Sequence, residues 1–144
     1  MTSTPTVDAN VWVAAYDATD RFHADSTAFL YALANLGISA RAPAVLLLEV
    51  ACALARRFGD ASIGREASAK LEERTMLSLE PLDSRLLWEA VHLGTANRLR
   101  AADALYAATA ARSRDGVLVS WDLELIERAG AVTPPVWLST QGVG

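Results

Sequence analysis

The chain has little lysine, histidine or cysteine, and no surplus of positive charge. Lys70 is the single lysine among 13 basic residues, and the net charge is −4. That balance removes the broad basic surface by which most nucleic-acid binders hold phosphate backbones. The arginines do suit bidentate phosphate contacts, although a GC-rich coding sequence produces the same bias. One cysteine, Cys52, excludes an intrachain disulfide and fits a reducing compartment; its apolar helical surroundings read as core. His23 and His92 stand apart from any nucleophile or second ligand, which argues against a histidine-based triad or a His/Cys zinc site. No apolar run approaches the ~18 residues of a membrane span, and the start MTSTPTV lacks the segments of a secretory signal, so a cytosolic protein is expected. No Gly/Ser/Pro-rich stretch divides the chain. Its 144 residues suffice for one core, and a single domain over residues 1–144 is expected.

What the chain does have is apolar periodicity, with 52% hydrophobic residues. TPTVD reads as a short strand ending at Asp8. Ala28, Phe29, Ala32, Leu33 and Leu36 fall at helical spacing before a stop at Gly37, and Ile38 to Ala42 reads as a second strand. A helix is expected from Pro43 to Gly59 and a charged surface helix from Ser62 to Arg74. Leu77, Leu79 and Leu82 mark a third strand, Asp83 caps a helix to about Ala96, and another helix starts near Ala101. Val117 to Ser120 is the clearest strand. Leu123 to Ala129 reads as helix, and Val136-Trp137-Leu138, behind two prolines, as a short edge strand. Strands alternating with helices predict an α/β three-layer sandwich, with a five-stranded, mainly parallel sheet flanked by helices. With the order 3-2-1-4-5 the reversal falls between strands one and four, and ligands bind at such reversals beyond the carboxyl ends of the strands.

Four acids stand out because each interrupts an apolar stretch: Asp8 in TVDANVWV, Glu49 in AVLLLEVACALA, Asp103 in AADALYAATAA and Asp122 in VLVSWDLEL. Singly, each has an ordinary explanation as a cap, a helix-start charge or a partner of Arg98 or Arg100. Together they are predicted at one edge of the sheet, two at strand ends and two in the early turns of helices. Converging carboxylates repel one another and raise their pKa values unless a cation lies among them. An all-oxygen donor set favours Mg²⁺ or Mn²⁺ over Zn²⁺, and such a site suits phosphodiester hydrolysis. The remaining acids, Glu124 among them, read as solvated helix faces and punctuation.

These segments resemble the PIN-domain family of ribonucleases, whose bacterial and archaeal members include the VapC-type toxins. The resemblance runs through VDANVWVAA (Val7 to Ala15), LLLEVACALARR (Leu46 to Arg57), RAADALYAATA (Arg100 to Ala110) and LVSWDLELIERAGA (Leu118 to Ala131). It implies the 3-2-1-4-5 sheet and a Mg²⁺ or Mn²⁺ site formed by Asp8, Glu49 and Asp103, with Asp122 at a fourth, more variable position. It also implies that Asn10 orients a water or a ligand at that site. The activity implied is endoribonuclease cleavage of RNA. The partners implied are a second copy of the chain and a small antitoxin that restrains the toxin.

Two other readings fit parts of the pattern. A PIN-like module that binds RNA or a protein without cutting needs no metal response. A phosphatase of the haloacid dehalogenase type also begins from an aspartate after strand one but needs a second two positions later, where this chain has Asn10. Of the four tryptophans, Trp88 and Trp137 are expected to pack, whereas Trp12 and Trp121 flank the acids in sequence and are candidates for stacking on bases. Arg98 and Arg100 precede Asp103 and are expected on a helix surface, within reach of an RNA backbone.

Overall fold

Thr6 and Val7 are both β-branched and wholly buried, and they form β1 (Thr6–Val7) at the centre of the sheet. In this computed structural model, residues 4–142 are described. The strand ends where Asp8, still extended, turns its carboxylate onto the amide of Ala9 and caps α1 (Ala9–Tyr16). The next helix, α2 (His23–Leu36), stops as expected at Gly37, whose φ of 67° is the left-handed conformation that glycine tolerates.

β2 (Ala40–Pro43) includes the proline expected to open the following helix; α3 (Val45–Phe58) starts two residues later. There follow α4 (Ala61–Glu72), β3 (Leu77–Glu80), α5 (Ser84–Asn97) capped by Asp83, and α6 (Ala101–Ala111). β4 (Leu118–Val119) leads through Asp122 into α7 (Leu123–Ala129), and α8 (Pro134–Thr140) completes the described chain.

The sheet has the order β3-β2-β1-β4, and every pairing is parallel. Thr6 lies opposite Arg41 on one side and Leu118 on the other. After three strands laid side by side the chain returns to the far side of β1, so the reversal lies between β1 and β4, as expected. Four strands, not five, are present among the described residues. Val132 makes one parallel bridge to Val119, where the fifth strand would lie, and then Val136, Trp137 and Leu138 enter α8. The reason is local. Pro134 and Pro135 occupy the first turn of a helix, where a missing N–H costs nothing, and Thr133 caps it.

The main core gathers Val7, Val11, Phe29, Leu46, Leu54 and Trp137, and a smaller one lies between α5 and α6 around Leu86, Ala90, Ala104 and Ala108. Two glycines set helix distances. A Cβ on Gly64 would stand 2.2 Å from the carbonyl oxygen of Ala51 in α3, and one on Gly94 would stand 2.8 Å from the Ala104 Cβ. Two packing expectations fail: Cys52 is exposed on the outer face of α3, and Trp88 is 64% exposed on α5. No helix among the described residues is long and apolar enough to cross a membrane.

Candidate metal centre

Three helix N-termini and one helix flank bring the acids to the carboxyl edge of the sheet. Asp8 caps α1, Asp122 caps α7, Asp103 lies in the first turn of α6, and Glu49 projects from α3 beside the buried stripe of Leu46 and Val50. The positive ends of α1, α6 and α7 favour anions here.

Asp8 is 6% exposed. One oxygen accepts from the Ala9 amide at 2.7 Å; the other accepts from the Ser120 hydroxyl at 2.7 Å and from the Asn10 amide at 3.3 Å. Burial nevertheless raises its pKa to about 7, with repulsion from Asp103 and Glu49 adding to the rise and the Ser120 and Ala9 hydrogen bonds opposing it. Glu49 is raised by burial and by Asp103, while Tyr106 acts in the other direction. Asp103 is raised by burial and by Asp122, with Arg100 opposing.

The acids form two groups that share Asp103. In the inner group Asp8, Glu49 and Asp103 repel one another around the hydroxyl of Tyr106, itself raised by burial and by the charges of Glu49 and Asp8. In the outer group Asp103, Asp122 and Glu124 each offer an oxygen within 4.8 Å of the others. Asp8 and Glu49 fall outside that tighter set. Arg100 spans the outer group: its Nε lies 3.4 Å from Asp103 Oδ2, and its Nη2 lies 3.0 Å from Asp122 Oδ2 and 3.3 Å from Glu124 Oε2.

One buried hydroxyl connects the elements. Ser120 Oγ donates to Asp8 and accepts from the Asp122 amide at 2.9 Å and the Asn10 side chain at 3.1 Å. Asn10 in turn accepts from the Trp121 amide at 3.2 Å, so it braces Asp8 against the turn after β4. Sequence reasoning passed over Ser120, Tyr106 and Glu124, which look locally like a strand end, a core aromatic and a surface charge.

The donor set fits a hard divalent ion. Glu49 Oε1, Asp103 Oδ2 and the Tyr106 hydroxyl are buried without a hydrogen-bond partner. Tyr106 lowers the Glu49 pKa although its hydroxyl makes no hydrogen bond, and Arg100 meets Asp103 as an ion pair. Orphaned carboxylate oxygens cost several kcal/mol in a dry site. Carboxylates with no histidine or thiolate form the environment that Mg²⁺ and Mn²⁺ prefer. The two histidines lie elsewhere: His23 is tied to the Ala14 carbonyl at 2.8 Å, and His92 is exposed on α5.

Comparison with known proteins agrees with this architecture. A search of curated proteins by sequence finds no significant match. Among solved structures, the chain is similar to one in the crystal structure of VapBC2 from Rickettsia felis bound to a DNA fragment from its promoter. The TM-score is 0.66 at 13% identity, covering 90% of this chain and 96% of that one. At that identity the likeness establishes a shared fold. The model of the PIN domain matches residues 6–131, a stretch that runs from β1 to the end of α7 and includes all four interrupting acids. The chain therefore belongs to the PIN domain family.

Proposed function

We propose that this protein is a Mg²⁺- or Mn²⁺-dependent endoribonuclease, acting in the cytosol as the toxin of a toxin–antitoxin pair. The observation that carries the reading is the pair of acid groups sharing Asp103 at the switch point of the sheet, with a buried Glu49 oxygen left without a hydrogen bond and a buried Asp103 oxygen met only by the Arg100 ion pair. PIN domains are typically metal-dependent nucleases, and the fold is shared with a chain of a VapBC complex. Asp8, Glu49, Asp103 and Asp122 are the residues proposed to hold the ion, with Asn10 and Ser120 fixing the orientation of Asp8. A divalent ion held there supplies Lewis acidity to the attacking water and the leaving oxygen of a phosphodiester. The side chains orient that water and keep bulk solvent from the inner group.

The partners proposed are an RNA substrate, a second copy of the chain and a small antitoxin whose arginine competes for the same carboxylates. Arg100 demonstrates the chemistry of such a contact within the chain, since one guanidinium bridges three carboxylates.

The test is cleavage of single-stranded RNA with Mg²⁺ or Mn²⁺ by the wild type and by Asp8→Asn. The wild type is expected to cut and to stop cutting with EDTA; the variant is expected to lose at least a hundredfold in rate while remaining folded. Equal cleavage by both proteins rejects the assignment, and so does cleavage that survives chelation.

A further inference from the structure

Beside the acids lies a pocket that the cleavage chemistry does not use. It has a volume of about 310 Å³ and is bounded by the α1–α2 connection and the turn after β4, with Asp20, Arg21, Phe22, Arg57 and Trp121 on its walls and Asn10 and Asp122 at its boundary with the metal centre. Phe22 and Trp121 stack with ring centroids 4.0 Å apart and planes 8° from parallel, and the Arg21 guanidinium lies 4.5 Å from the Phe22 centroid.

Three features distinguish this column from ordinary packing. Both aromatic residues are only half-buried, where rings serving the core alone are enclosed. The surroundings hold them rigidly: the Trp121 indole N–H donates to Ser26 Oγ at 2.9 Å, and the Phe22 amide donates to Asp20 at 2.8 Å. Arg57 clamps the connection onto α3 through Asp17 at 2.9 Å and Asp20 at 2.8 Å. Finally, the two arginines differ. Arg57 is neutralised by its carboxylates, whereas Arg21 is exposed, stacks on Phe22 and makes no ion pair among the described residues.

A pre-set aromatic surface with an exposed guanidinium that makes no ion pair among the described residues matches one nucleotide of a single strand: the base has a flat face to stack, and its phosphate accepts a fork of N–H donors. We propose that this pocket is a nucleotide subsite. It receives an unpaired base of the substrate strand against the Phe22–Trp121 pair, with Arg21 moving from the Phe22 ring to the adjoining phosphate, and so sets which phosphodiester reaches the acids. The inference rests on the nuclease reading and adds to it a route for the strand. It also explains how a chain of net charge −4 holds RNA, through a local contact rather than a basic face.

The experiment is fluorescence anisotropy with a labelled single-stranded oligoribonucleotide in Mn²⁺ across a salt series, in the Asp8→Asn background so that the strand stays whole. Arg21→Ala is expected to weaken binding about tenfold and to lower the slope of log affinity against log salt by about one. Phe22→Leu, which keeps the apolar volume and removes the aromatic face, is expected to weaken binding about tenfold with the slope unchanged. Arg65→Ala, an exposed charge on α4, is the control and is expected to bind as the parent does. Arg21 is a surface side chain, so its variant remains informative even where Phe22→Leu loses stability. Parent-like affinity and slope for Arg21→Ala overturn the subsite while leaving the nuclease reading intact. Absence of RNA binding by the parent itself overturns both.

Discussion

Asp8 concentrates the conflict on which the site is built: two of its donors come from its own turn, a third from Ser120, and burial still holds its proton to about pH 7. Replacing it with asparagine removes the buried charge and keeps the shape, so Asp8→Asn is expected to melt at the same temperature or higher at pH 8 without metal, by calorimetry, even as it abolishes cleavage. A clear loss of stability would contradict the view that Asp8 is kept for function at a cost to the fold. Arg100 makes the complementary prediction. It is 70% exposed and sits on the oxygens of Asp103, Asp122 and Glu124, so Arg100→Gln is expected to bind Mn²⁺ several-fold more tightly in a calorimetric titration at low salt. Unchanged or weaker binding would show that the guanidinium does not compete with the ion. The positions of Asp8, Glu49, Asp103 and Asp122 were legible in the sequence because a charge inside an apolar run is costly. Glu124 was not, since it lies on a polar helix end, and only the return of the chain to β4, on the far side of β1, brings it to Asp103; Arg100 was legible as a partner of one acid but not as the bridge of three.

At the scale of elements, the sequence displays starts and stops best where a residue has one physical role. Asp83 caps α5, and Gly37 and Gly59 end their helices with positive φ, as expected; Asp122 caps α7, the ordinary role open to it, and Gly130 ends that helix with positive φ. It was least informative at proline, which opens helices and also borders edge strands. Pro43 was read as helix and lies in β2; Pro134 and Pro135 were read as the approach to a strand and begin α8. Trp88 and Cys52 were misplaced because a large or sulfur-bearing side chain signals core only if its helix turns it inward. The contact between α3 and α4 depends on Gly64, over which the Ala51 carbonyl of α3 lies, and it is reinforced by the Ser68 hydroxyl donating to the Leu47 carbonyl. Gly64→Ala forces α4 away from α3 and is expected to destabilise the protein by about 1–3 kcal/mol in urea unfolding, despite the higher helix propensity of alanine. A neutral or stabilising result would show that the two helices separate freely.

For the whole molecule, the raised carboxyls make stability depend on pH and on metal together. The folded pKa of Asp8, about 7, lies above the ordinary aspartate value of 3.8, so the native state binds this proton more tightly than the unfolded chain. The contribution of Asp8 is therefore fully present below about pH 4 and declines as pH rises to about 7, by a few kcal/mol at most; Glu49 and Asp103 are shifted in the same direction. Without metal, Tm is expected to fall over that range for the wild type and to fall less for Asp8→Asn, while Mn²⁺ offsets the loss because it binds the native carboxylates. The four-stranded sheet of the described residues carries all of this, and its switch point lies where the strand order implied by the family resemblance puts it. The most direct measurement is a Mn²⁺ titration by isothermal calorimetry on the wild type and on Asp103→Asn, the residue common to both acid groups. The account predicts saturable binding to the wild type and at least tenfold weaker binding to the variant; no binding to the wild type, or equal binding to both, would contradict it.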